Sequence, residues 1–334
     1  MKAIVLENQS VHYEDLPLGV LLEGWATLRV TSVGICGTDV SKIINRNLPF
    51  NHTKILGHEF VGIVIEMNGL SDCICIGDSV VALPILPCHE CDMCKKGMEN
   101  LCVKAESIGR TSNGAFAEYV NAPIENLIKI QNSPYLDSYV LADPIAVCLH
   151  AINLIKRNSL NDLKVLVIGD GSIGCLISWL LKKRGLDVYM KGIHQDNVNF
   201  IKNFGIKIID NLNSKNSFDE VYETVGRKQD HTLIESLKFV KPGGNVIVLG
   251  VYDIGYIYPL VARDLFIKES NLVGSNAYVK NDFLNAVKII EDNLQELSVF
   301  LSHNYSLENY LEALDILTKK KELTIKVVIH PNTS

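Results

Sequence analysis

Hydrophobic positions recur along this chain in two different rhythms. Over the first third, short β-branched and aromatic runs at 26–33, 59–66, 78–85 and 115–120 stand between Gly, Pro and Asn, the pattern of strands separated by turns. From about residue 144 the rhythm changes. Strands expected at 165–169, 187–190, 206–209, 220–224, 245–249 and 271–274 alternate with helices expected at 172–184, 196–204 and 232–240, and Pro242-Gly243-Gly244 turns the chain before the fifth strand. Such alternation implies βαβ units and a parallel sheet covered on both faces. The last part is mixed, with a helix expected from Ser306 to about Lys319 and a strand at 324–329. The expected fold class is α/β, a doubly wound parallel sheet beside a mostly β domain.

At 334 residues the chain exceeds the usual size of a single core, so two domains are expected. Hydrophobic residues at 47% and charged ones at 21% allow a large buried interior. The net charge of −6 supplies no basic face for a polyanion, which argues against nucleic-acid binding. No apolar run approaches the roughly 20 residues needed to cross a bilayer, so no membrane partner is expected. The opening residues turn polar too soon for a signal peptide. Nine cysteines without a secretion signal point to a reducing compartment, hence a cytoplasmic location with thiols serving metals or packing.

Four of those thiols form one motif. Cys88, Cys91, Cys94 and Cys102 have spacing that lets the backbone curl around one tetrahedral Zn²⁺, a closed and therefore structural site. A four-iron cluster would prefer a shorter last gap followed by Pro. Cys73, Cys75, Cys148 and Cys175 have no metal-like partners and read as packing residues, and His89, inside the four-cysteine lobe, reads as exposed. Elsewhere, Cys36 in Gly34-Ile35-Cys36-Gly37-Thr38-Asp39 and His58 in Gly57-His58-Glu59 are weak signals singly. Together they carry the elements of an open, catalytic zinc site. Asp39 is a candidate acceptor for the His58 ring N–H, and the Thr38 hydroxyl is placed to pass a proton from a substrate alcohol.

A third motif, Gly169-Asp170-Gly171-Ser172-Ile173-Gly174, follows an expected strand and opens an expected helix. Gly169 suits the tight turn, Gly171 the approach of a pyrophosphate, and Gly174 close helix–strand packing, while the helix start at Ser172 and Ile173 offers N–H groups to phosphate. In NAD enzymes an acidic residue ends the second strand; the matching position here is Gly192. Lys191 or His194 can instead contact a 2′-phosphate, which favours NADP(H) over NAD(H).

These motifs, in this order and spacing, resemble the zinc-containing medium-chain dehydrogenase/reductase family over essentially the whole chain, especially its polyol branch of sorbitol, threonine and galactitol-1-phosphate dehydrogenases. The segments 81–88 and 109–119 add to the likeness. The resemblance implies a GroES-like, barrel-like catalytic domain at 1–146, a Rossmann domain at 147–275, and a return to the catalytic domain at 276–334. It implies one catalytic and one structural zinc, a homodimer or homotetramer, and a site in the cleft between the domains. It also implies a third metal ligand at Asp143 in Ala142-Asp143-Pro144, a residue that reads equally as a helix N-cap. Glu59 resembles the family's mobile carboxylate. Ser41 stands where many relatives have a His that ends a proton relay. The expected activity is hydride transfer between a secondary alcohol, such as a polyol, polyol phosphate or cyclitol, or its ketone, and NAD(P). A zinc-free quinone or enone reductase on the same fold and a non-catalytic zinc module are the rival readings.

Overall fold

The computed structural model describes residues 1–7, 10–44, 54–156, 163–209, 217–227, 229–258 and 260–332. The chain forms two compact units, one of residues 1–146, 278–321 and 326–334, the other of 147–277 and 322–325.

In the first unit the long strand Trp25–Gly34 is the organising element. Glu59–Asn68 pairs antiparallel with it over almost its whole length, and Tyr119–Pro123 and Lys326–His330 also pair with it. The sheet continues through Ser79–Ala82 to Leu127–Lys129 on one side and ends at Leu301–Ser306 on the other. Val30, Val33, Phe60, Phe116 and Ile329 are fully withdrawn from water in its core. A two-stranded ladder, Ile85–Leu86 with Glu106–Ser107, forms the base of the four-cysteine lobe.

The second unit is the expected sheet. Six strands, all parallel, lie in the order 3-2-1-4-5-6 counted along the unit, from Lys207–Ile208 at one edge to Asn271–Gly274 at the other. Helix Ser172–Lys183 follows the first strand, Lys164–Ile168, and helix Gln195–Lys202 the second, Asp187–Lys191. Trp179 and Met190 are buried. Among the described residues no helix is long and apolar enough to cross a membrane.

Several expectations change. Pro242-Gly243-Gly244 does not precede the fifth strand but is a bulge within Val240–Val248, where the pairing with Phe218–Glu223 slips. Ser306 ends a strand, and the α-helix starts only at Tyr310 after a 3-10 turn. Helix Ala142–Asn153 runs straight on from the 3-10 stretch Leu136–Leu141, so Asp143 is its second residue and not its N-cap. Residues 276–277 and 322–325 count with the second unit rather than with the tail. The backbone of Thr324 is bonded in both directions to the buried Asn197 side chain there. Cys73 and Cys75 are exposed, unlike the buried Cys148 and Cys175.

One contact brings two loops of the first unit together. Gly109 has φ +73°, and a β-carbon on it would lie 2.3 Å from the Gly57 carbonyl oxygen. Gly109→Ala is therefore expected to cost on the order of 2 kcal/mol or more, strain and clash combined. Denaturant unfolding checks this; a change within about 0.5 kcal/mol, typical of a neutral surface substitution, would contradict it.

Candidate functional site

Cys36 leaves the end of Trp25–Gly34, and the helix Gly37–Ile44 begins immediately after it. That helix turns Asp39 back, so that its Oδ2 accepts the Cys36 N–H at 3.1 Å. The Thr38 hydroxyl donates to Cys36 Sγ at 3.2 Å. His58 and Glu59 enter on the adjacent strand, whose Glu59 pairs with Gly34. One donor atom each from Cys36, His58 and Glu59 lies within 4.8 Å of the others. A soft sulfur, an imidazole and a carboxylate at that spacing fit a zinc ion with room for a further ligand.

Each charge here has a partner or a purpose. His58 Nδ1 lies 3.5 Å from Asp39 Oδ1, an ion-pair distance, with both side chains buried. Burial pulls the imidazole down, but the Asp39 carboxylate outweighs it and pushes His58 up to about 10. Glu59 Oε2 accepts from Lys326 Nζ at 2.6 Å, again with both buried; burial pushes this carboxyl upward against the pull of Lys326. Asp143 Oδ2 accepts a hydrogen bond from the Tyr278 hydroxyl. Burial first, and then the Asp143 charge, raise that phenol well above its ordinary value, so it remains the donor. Arg110, carried on the Gly57–Gly109 contact, places Nη2 3.4 Å from His58 Nε2.

The structure thus brings Glu59, rather than Asp143, into the converging group. Asp143 is buried nearby but engaged by Tyr278 and outside the converging group. The Ser41 hydroxyl donates to the Gly37 carbonyl of its own helix at 3.0 Å.

The four-cysteine lobe closes separately. Cys91 Sγ and Cys94 Sγ are 3.5 Å apart, as are Cys88 Sγ and Cys102 Sγ. All four sulfurs lie within 4.8 Å of one another. Backbone N–H groups, first that of Cys94, pull the Cys91 thiol down to about 6. His89, with φ +58°, is exposed.

In the second unit, Gly169 turns at φ +115°, and a β-carbon on Gly174 would meet the Gly169 carbonyl oxygen at 2.0 Å. The helix N-terminus therefore sits directly on the turn. Ser172 Oγ, buried at that N-terminus with no hydrogen-bond partner among the described residues, fits a phosphate oxygen. At the end of the second strand, Lys191 Nζ is 2.5 Å from Glu235 and so turned away from a ligand, while Gly192 and His194 adjoin Asp170.

Residues 22–132 match the alcohol dehydrogenase GroES-like domain, and residues 137–330 match the glucose dehydrogenase C-terminus. The chain belongs to the zinc-type medium-chain dehydrogenase family. D-arabinitol dehydrogenase 1 of Uromyces fabae is 28% identical to this dehydrogenase, covering 91% of this chain and 89% of that one. D-altritol 5-dehydrogenase of Agrobacterium fabrum is 29% identical, covering 92% and 91%. Among solved structures, galactitol-1-phosphate dehydrogenase from Escherichia coli superposes with a TM-score of 0.87 at 23% identity, covering 99% and 100% of the two chains. A zinc-binding dehydrogenase from Sinorhizobium meliloti 1021, bound to NADP, gives 0.89 at 24% identity, covering 99% of each. These likenesses show a shared fold, the GroES-like and Rossmann pairing.

Sequence reasoning found no role for Arg110, Lys326 or Tyr278 in this dehydrogenase. Lys326 carried a signal nonetheless. It stands in the apolar run Ile325-Lys326-Val327-Val328-Ile329, and a lysine inside a buried strand requires an acid.

Two outcomes follow. With its folded-state value near 10, metal-free His58 carries a proton at neutral pH that a metal must displace, so affinity at this centre falls as pH drops. Zinc addition at pH 7 is expected to release at least about one proton per ion bound there, read with an indicator dye; no release from His58→Ala-sensitive binding would contradict this. Cys36→Ser and Glu59→Gln are each expected to lower the metal content from about two to about one per chain. Asp143→Asn is expected to keep about two, by atomic emission.

Proposed function

We propose that this oxidoreductase is a zinc-dependent polyol dehydrogenase that transfers a hydride between a secondary alcohol of a polyhydroxylated substrate and NADP(H). The observation that carries the reading is the convergence of Cys36, His58 and Glu59 within 4.8 Å, with the Thr38 hydroxyl on the Cys36 sulfur.

Zinc, when bound by those three residues, supplies the Lewis acidity that makes a substrate hydroxyl acidic near neutral pH, and the nicotinamide takes up the hydride. The chain's own residues do the rest. Asp39 Oδ1, 3.5 Å from His58 Nδ1, holds that edge of the ring by charge and would leave Nε2 for the metal. Lys326 neutralises Glu59 inside the protein, holding its carboxylate without a buried, uncompensated charge. Thr38 has a hydroxyl beside the metal-binding sulfur, from which it can accept the proton of a substrate hydroxyl and pass it on. With Ser41 committed to Gly37, proton exit does not run through that position. Arg110, at His58 Nε2, offers guanidinium N–H groups to substrate oxygens next to the reacting carbon.

The polyol class is supported by relatives named for D-arabinitol, D-altritol and galactitol 1-phosphate. A zinc-free reductase would have no use for the Cys36–His58–Glu59 group. The NADP(H) preference is supported by the strand end at 187–191, after which position 192 carries no carboxylate, and by the NADP bound in the Sinorhizobium structure.

Assay of purified enzyme against sugar alcohols, their phosphates and simple alcohols, with NAD and NADP separately, tests the reading. Polyol oxidation with NADP is expected, falling at least about 10³-fold in kcat for Cys36→Ser. Activity confined to simple aliphatic alcohols would overturn the polyol class, and undiminished turnover by Cys36→Ser the metal mechanism.

A further inference from the structure

We propose that Asp170, between the first two glycines of the dinucleotide turn, is a positioning residue for cofactor choice. Its carboxylate fills the space that a side chain at 192 would need and holds His194 outward as the donor to a 2′-phosphate. This rests on the NADP(H) reading above and assigns the residues behind it.

The space is contested by two positions. A β-carbon built on Gly192 would lie 2.6 Å from Asp170 Oδ2, 2.7 Å from Asp170 Cβ and 2.8 Å from Val198 Cγ2. An acidic residue at 192, the usual partner of an NAD ribose, is therefore incompatible with Asp170 in its present place. Asp170 brings a negative charge to that spot, but the charge is used internally. Oδ2 accepts the N–H groups of Ile193 at 2.7 Å and His194 at 2.6 Å, and Oδ1 faces His194 Nδ1 at 2.7 Å. The Asp170 carbonyl oxygen accepts from Asn197 Nδ2 at 2.8 Å. The side chain is 5% exposed, so little of it is left to receive a ribose hydroxyl.

The same contacts aim His194. With Nδ1 turned to the Asp170 carboxylate, Nε2 is the ring nitrogen presented outward to a phosphate oxygen. Nε2 has no protein partner among the described residues, and the ring is partly exposed. The other cation at the strand end, Lys191, is drawn to Glu235 and lies 5.8 Å over the Phe239 ring. Of the two basic residues expected to meet a 2′-phosphate, only His194 is free to do so.

Dissociation constants of NADPH and NADH, from nucleotide fluorescence on the zinc-loaded enzyme, test this together with thermal midpoints. Wild type is expected to bind NADPH more tightly. His194→Gln should weaken NADPH about tenfold, the loss of one charge-assisted hydrogen bond, with NADH within about twofold. Asp170→Asn should shift NADPH in the same direction. Gly192→Asp alone should lower the midpoint and weaken both nucleotides, whereas Asp170→Ser with Gly192→Asp should recover the midpoint and favour NADH. If wild type prefers NADPH but His194→Gln and Asp170→Asn leave that preference intact, the positioning role is refuted and the NADP(H) reading stands. If wild type prefers NADH, both fail. A Gly192→Asp single variant as stable as the double one overturns the mutual exclusion, and His194→Gln decides the matter even where Asp170→Asn does not fold.

Discussion

The ion pair between Glu59 and Lys326 is the interaction on which the first unit's chemistry depends. The two residues are 267 positions apart, 2.6 Å from each other, and both buried. Removing either would leave an unpaired charge in the interior, a loss of about 3–5 kcal/mol. The pair also sets where the third donor of the cluster stands, because Glu59 opens the strand that follows His58 and Lys326 opens the strand that pairs with Trp25–Gly34. Fold and donor geometry are therefore one problem in this unit. The late strand completes the sheet and in doing so delivers the cation that lets a carboxylate remain beside Cys36 and His58.

The surroundings of the cluster follow the same rule of matched charge. Asp39 is answered by His58 and the Cys36 N–H, Asp143 by the Tyr278 hydroxyl, Glu59 by Lys326. These pairings leave sulfur, imidazole and one carboxylate facing a common point, the donor chemistry that suits zinc rather than magnesium or calcium. The four-thiol lobe obeys a different constraint. Its donors come from one short loop held by the turn at Gly97 and a two-stranded base, so it can close on an ion with no help from distant parts of the chain.

That contrast explains how much was legible in the sequence. The lobe at 88–102 and the turn at 169–174 were readable because their functional atoms come from adjacent residues, and so were the alternating strands and helices that build the parallel sheet. Cys36 and His58 were readable as a pair, since each sits in a short motif at a strand end. The carboxylate was less so. Asp143 and Glu59 are both acidic and both near expected element boundaries, and the tertiary structure brings Glu59 into the converging group while Asp143 accepts from Tyr278. Arg110 was invisible for a similar reason. Its approach to His58 depends on the close contact of Gly57 with Gly109, fifty-two positions apart, which no local periodicity reports. Asp170 was given no role, although a carboxylate there meets the loop after the second strand.

Anomalous diffraction at the zinc edge, on crystals grown with zinc, decides whether Cys36, His58 and Glu59 hold one metal ion apart from the four-thiol lobe. Two peaks per chain are expected, one among the four sulfurs and one bounded by Cys36 Sγ, His58 Nε2 and a Glu59 oxygen, with Asp143 still on Tyr278. A second peak ligated by Asp143 while Glu59 stays on Lys326, or no peak beside Cys36 at all, would contradict this.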